Sequence, residues 1–241
     1  MTAAGHLSCA FLVKAKFKEV PFWVLLLSTE AIELVWVFLN LNPFQFHPPI
    51  EITKINEPFL YIGDMLLIQQ FISHSLFGAI TIAIIIGLIF KKLIPANGVF
   101  LAVIFATLSH WVLDLLVHDK DLPIFISKNS IKIGALINFD SSKPDLGFYA
   151  TAPLLGFLFQ FIFSFICIIV YLKKFPLQNS KIKFWTIITA LNLFVIGIFL
   201  KGIMSFMIQS AKVFIIFVLV DIVITAFLYY YSYKFTDQKS I

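Results

Sequence analysis

Six stretches of this chain are apolar enough, and long enough, to cross a bilayer: approximately Val20 to Leu41, Ile68 to Phe90, Pro95 to Val117, Phe148 to Leu172, Phe184 to Gln209 and Val213 to Tyr233. A helical crossing takes roughly 20 residues. Backbone groups in hydrocarbon must find their hydrogen bonds within their own segment, so runs of this kind fold as packed helices. The expected fold class is all-α, a polytopic membrane helix bundle of about six transmembrane helices in one integral domain over residues 1–241. A shorter apolar piece, Thr2 to Val13, cannot span and is expected to be interfacial or re-entrant. The apolar run after the early lysines is too long for a signal h-region and lacks a small-residue cleavage site, so it is read as retained.

Composition agrees. Only 13% of residues are charged, about half the share in a soluble domain. The net charge of +5 does not indicate a nucleic-acid partner, because the lysines cluster between apolar runs. All 18 basic residues are lysine, which excludes bidentate guanidinium recognition of phosphate or carboxylate. Lys14, Lys16 and Lys18 precede the first span, and Lys91 and Lys92 follow the second. Lys173, Lys174, Lys181 and Lys183 follow the fourth, and Lys234 and Lys239 the sixth. These are alternate loops, so one side collects the lysine and is expected to be cytoplasmic, with both termini inside. The localisation expected is a bacterial inner membrane. Tyr229, Tyr230, Tyr231 and Tyr233 fit an aromatic belt at the inner interface. Cys9 and Cys167 have neither disulfide-framework nor metal-knuckle spacing.

Titratable residues inside the apolar runs carry the chemistry. His110, Asp114 and His118 recur every four residues and so share one helix face. His74 lies in a second apolar stretch, and Glu30 and Glu33 lie in a third. Such groups are costly in hydrocarbon and call for partners or a function. At 1.5 Å per residue, Glu33 lies roughly 12 Å, His74 roughly 9 Å and His110 roughly 10 Å below the outer surface. Three helices therefore bring a ligand to one depth, and a re-entrant N-terminus would bring His6 towards Glu30. Lys201 and Asp221, also intramembrane, fall at similar depths and are expected to form a structural ion pair.

A His/His/carboxylate set suits a divalent metal, above all zinc, with a position left for water. The metal lowers the pKa of that water, and a carboxylate outside the coordination shell takes its proton.

The segments Ser73-His74-Ser75-Leu76 and Ser109-His110-Trp111-Val112-Leu113-Asp114 resemble the paired histidine motifs of the bacterial inner-membrane family of metal-dependent hydrolases, the YdjM-like group. Gly5-His6 and Val117-His118-Asp119-Lys120-Asp121-Leu122-Pro123 resemble an uncharacterised branch of it. The resemblance covers roughly the first 140 residues, which places the metal site within 1–145; the three spans of 146–241 look generic. It implies that His6, His74, His110 and Asp114 are metal-site positions. The family often has paired aspartates in the first span where this chain has Glu30 and Glu33 at another spacing.

The expectation is a membrane-embedded metal-dependent hydrolase acting from the non-cytoplasmic side on an amphipathic, lipid-like substrate. Glu30 and Glu33 would be base or ligand, while His118, Asp119 and Asp121 would contact substrate at the mouth. The alternatives are an ion or proton-coupled transporter, which needs polar residues continuing to the cytoplasmic face, and a non-enzymatic scaffold whose polar residues are helix glue.

Overall fold

The computed structural model describes residues 1–178 and 180–237. It is a membrane-type helix bundle. Short helix α1 (Ala3–Lys16) is followed by the pair α2 (Phe22–Thr29) and α3 (Ala31–Leu41). A hairpin of β1 (Ile52–Ile55) and β2 (Met65–Gln69) leads into α4 (Leu76–Leu93) and α5 (Val99–Val117). A loop with the small ladder β3 (Leu122–Pro123) and β4 (Lys132–Ile133) precedes α6 (Phe148–Thr151), α7 (Pro153–Leu172), α8 (Lys181–Phe194) and α9 (Ala211–Tyr233). Among the described residues, five helices are long and apolar enough to cross a membrane, and the α2–α3 pair makes up to six.

Helix α1 is buried inside the bundle rather than lying on its surface. Eleven of its 14 residues are buried, on every face. At 1.5 Å per residue it is about 21 Å long, less than the hydrocarbon thickness. It packs chiefly on α7 and α2. Lys14 is buried at its far end, where its ammonium donates to the carbonyls of Lys18 and Val20. Lys174 reaches the carbonyl of Ala15 at 2.9 Å, so α1 ends among the lysine loops and begins beside His6. Cys9 and Cys167 are buried free thiols that hydrogen-bond each other across the α1–α7 contact.

The expected spans shift in three places. The first breaks at Glu30, where α2 and α3 bend by 49°. The second starts at Leu76 instead of Ile68, because Met65–Gln69 pairs as β2 and Ser75 caps the helix by accepting from the Gly78 amide at 3.0 Å. Gly78 is required there: a Cβ would lie 1.8 Å from the Ile72 carbonyl oxygen. The fifth passes from α8 into a 3-10 turn, Val195–Ile198, and then into irregular backbone before Ser210 caps α9.

The tyrosine belt is half realised. Tyr230 and Tyr231 are exposed, but Tyr229 and Tyr233 are buried, and the Tyr229 hydroxyl donates to the Ala4 carbonyl at 3.0 Å. Lys201 and Asp221 do not pair. The Lys201 ammonium sits 5.2 Å from the Tyr61 ring centroid in the irregular segment, while Asp221 accepts from Thr225 at 3.2 Å and from the Ala3 amide.

Candidate metal centre

The break at Glu30 builds the first wall. Its freed carbonyls are taken by polar side chains of α5. The Thr107 hydroxyl donates to the Ser28 carbonyl at 3.0 Å, and the His110 ring bonds the Thr29 carbonyl through Nδ1 at 2.9 Å. A carbonyl only accepts, so Nδ1 is the donor here, and in the neutral ring Nε2 keeps its lone pair. That atom is buried and makes no hydrogen bond, although Asp114 Oδ2 lies 3.2 Å away and Glu33 Oε2 lies 3.4 Å away.

His74 comes from the turn before α4, not from within the helix. Its ring is fixed by a relay. Glu51 Oε1 accepts the amides of Ile72 at 2.9 Å and Ser73 at 2.7 Å, and Oε2 accepts the Ser73 hydroxyl at 2.7 Å. Having donated its proton, Ser73 Oγ can only accept from His74 Nδ1, 2.8 Å away. In the neutral ring this leaves the lone pair on His74 Nε2. Burial pushes the Glu51 carboxyl up, and the hydrogen bonds from Ser73 and Ile72 pull it back down. On the opposite side of the turn, Trp111 Nε1 donates to the His74 carbonyl at 2.9 Å.

These atoms converge. His74 Nε2 is 3.3 Å from Glu33 Oε2 and 3.7 Å from Asp114 Oδ2. Two ligands about 2.0–2.1 Å from a tetrahedral ion stand about 3.3–3.4 Å apart, so the spacings fit. Two groups can hold a metal ion: Glu33 with His74 and His110, and His6 with His110 and Asp114. His110 belongs to both. Asp114 divides its carboxylate between them, with Oδ1 facing His6 Nε2 at 3.1 Å, His118 Nε2 at 3.6 Å and the Met1 nitrogen at 2.5 Å.

Glu30 stands apart from both groups. It is 1% exposed, Oε2 lies 3.9 Å from His110 Nδ1, and neither carboxylate oxygen has a hydrogen-bond partner. It faces an internal cavity that also reaches Glu33, His74, His118, Asp221 and His6. The opposite wall is apolar, formed by Ile198, Phe214, Phe217, Val218 and Ile222.

The mouth residues divide. His118 lines the cavity, and its Nδ1 lies 3.4 Å from Asp121 Oδ1. Asp119 and Asp121 line a smaller neighbouring recess with Tyr149 and Ile62. Asp119 Oδ1 accepts the Gly147 amide at 2.6 Å, which ties the loop back to α5; burial raises its carboxyl and that amide opposes the rise.

The half of the chain that looked generic contributes to the site. Gln160, fully buried on α7, accepts from the Thr2 amide at 3.0 Å and the Tyr149 hydroxyl at 3.0 Å, and donates to Thr2 Oγ1 at 2.6 Å. It anchors the start of α1 and hence His6. Its signal in the sequence was a single amide in an otherwise apolar helix. Thr107, one turn before His110, was legible in the same way.

Fold and site together define a membrane helix bundle with a buried histidine–carboxylate cluster able to hold a metal ion. In comparisons with protein-family models, curated proteins and solved structures, none matches this chain.

Proposed function

We propose that this chain is a membrane-embedded metal-dependent hydrolase of an amphipathic, lipid-like substrate, with zinc as the metal. The observation that carries the reading is the convergence of His110 Nε2 and His74 Nε2 on Glu33 and Asp114, buried in the bundle and at ligand spacing. The motifs resembling the YdjM-like hydrolases, at His74 and His110–Asp114, support the same reading.

His74 and His110 would hold the ion, with Glu33 on one flank and Asp114 on the other. The metal supplies a water that ionises near neutral pH. Glu30, buried with two unbonded oxygens and lining the same cavity, would be the base for that water. His118 meets the leaving or head group where the cavity approaches the recess. Space for water centres in the cavity is about 60 Å³, room for a few waters or a small polar group, while its far wall is apolar. Both features suit a polar head on an apolar body.

A transporter would need a polar path through the bundle. Between the cluster and the lysine loops lie Leu7, Ala10, Phe11, Val20 and Val103, all fully buried and apolar. This favours a site open on one side. Lysine in alternate loops supports a cytoplasmic lysine face and a cluster in the non-cytoplasmic leaflet of a bacterial inner membrane.

Elemental analysis by inductively coupled plasma mass spectrometry tests the reading, comparing the detergent-purified protein with a His74→Ala/His110→Ala variant. Near-stoichiometric metal in the first and none in the folded second is expected. Metal-free protein after loading with zinc or manganese overturns it.

A further inference from the structure

A second space adjoins the polar cavity. Between the α2–α3 break and α9 an apolar groove opens on the outer face of the bundle, lined by Trp23, Leu27, Leu34, Val223, Ala226 and Phe227. Several of these are well exposed, Phe227 at 67% and Val223 at 58%. Glu30 and Ile222 line both the groove and the cavity. On α9 one helical stripe connects them, from Val218 and Ile222 in the cavity to Ala226 and Tyr230 in the groove. From Ile222 to Tyr230 the groove follows α9 for about 12 Å.

One titratable residue, Glu30, is shared between the groove wall and the cavity. Glu30 is 1% exposed, and a carboxylate buried in a bundle without a partner is costly. Glu30 is placed there by the helix break, with both oxygens unbonded. A comparable groove between α3 and α4, lined by Ala31, Val35, Phe38, Ile86, Ile89 and Phe90 among others, has no titratable residue and shares none with the cavity. It is what a bundle offers to ordinary bilayer lipid. The deep site has room for a few waters or a small polar group, not for a chain.

We propose that the hydrocarbon chain of a lipid substrate lies in the groove between the α2–α3 break and α9, and that its polar end passes Glu30 into the histidine–carboxylate cluster. Entry is lateral, from the bilayer. This deepens the hydrolase reading and rests on it for the fate of the head group; the groove itself does not depend on the metal.

The test is photo-crosslinking in bilayers with two lysophosphatidylcholine probes, one with a diazirine beside the ester and one with it at the chain end. Labelled residues are mapped by mass spectrometry, with unlabelled lysophosphatidylcholine as competitor. The head-proximal probe is expected to label Glu33, Val218 or Ile222, and the chain-end probe Phe227 or Tyr230, both with competition. Ala226→Trp and Val223→Trp fill the groove from its floor and its exposed rim, so both should lose this labelling; the second keeps the test valid if the first fails to fold. Val220→Trp, on an exposed part of α9 outside the groove, should retain it. Even, non-competed labelling of all lipid-facing helices would mean ordinary bilayer lipid only and would overturn the proposal. So would groove labelling that survives both tryptophans, or identical patterns from the two probes. Competed groove labelling in protein that takes up no metal would overturn the hydrolase reading and leave the lipid groove standing.

Discussion

The rings of His6 and His110 stack face to face, with centroids 3.7 Å apart and planes inclined by 10°. The contact joins the buried α1 to α5 and holds His6 Nε2 against Asp114. Ring packing and polar contact separate by substitution. His6→Phe keeps a flat ring and loses the nitrogen, whereas His6→Ala loses both. A positioning role for His6 predicts metal affinity about 10–100-fold lower in both variants. A melting temperature that drops clearly only in the alanine variant completes the expectation. Isothermal titration with zinc and thermal unfolding in detergent measure the two effects; unchanged zinc affinity in His6→Phe would reduce His6 to a packing residue.

Glu51 governs His74 without touching it. In Glu51→Gln an amide N–H can face Ser73 Oγ, which turns the hydroxyl proton towards His74 Nδ1 and moves the ring proton to Nε2. The atom that faces Glu33 and Asp114 is then blocked. Metal affinity should fall by about 10–100-fold, with Ser73→Ala giving a loss of similar size. The two residues act in series, so the double variant should be no worse than the more affected single one. Additive losses would show that they act independently.

Gln160 makes three hydrogen bonds from the middle of an apolar helix. Interhelical hydrogen bonds in membranes average about 0.6 kcal/mol, so Gln160→Leu should cost about 2 kcal/mol in bundle stability. The loss should appear as faster proteolysis and hydrogen exchange at the start of α1, with α4 unaffected. Uniform destabilisation of all helices would mean that Gln160 does not act as a local anchor.

The bundle itself was legible because a span is written in length and apolarity, which hold whatever the neighbours do. The convergence of Glu33, His74, His110 and Asp114 was legible for a related reason: depth follows from residue count once each span has a direction. What could not be read was backbone that departs from straight helix. No proline or glycine marks the break at Glu30; it exists because Thr107 and His110 on α5 satisfy the freed carbonyls, a tertiary fact. Ile68–Ser75 reads as apolar helix but is drawn into a hairpin and a capped turn by pairing with Ile52–Ile55. The same limit defeated the Lys201–Asp221 pairing, since depth arithmetic assumed helix through Gln209 where the chain unwinds after Ile198.

That failed pairing makes its own prediction. Lys201 lies over the Tyr61 ring and Asp221 bonds Thr225, so the two should be energetically independent. In a Lys201→Ala and Asp221→Asn cycle the stability effects should add to within about 0.5 kcal/mol. A coupling above about 1 kcal/mol would restore the ion pair.

Glu30 and Glu33 lie three residues apart but should fail differently. Glu33 Oε2 sits at ligand spacing from both His74 and His110, so Glu33→Gln should lose metal. Glu30 belongs to neither ligand group and has two unbonded oxygens in the cavity, so Glu30→Gln should keep the metal and lose turnover. General-base removal typically costs about 10²–10⁴-fold, and the loss should fall on kcat with KM little changed. Metal content by mass spectrometry beside hydrolysis of a lipid substrate found by screening separates the cases. Loss of metal from Glu30→Gln would make Glu30 a ligand and move the base to Glu33 or Asp114; full activity in a metal-loaded Glu30→Gln would remove it from the chemistry.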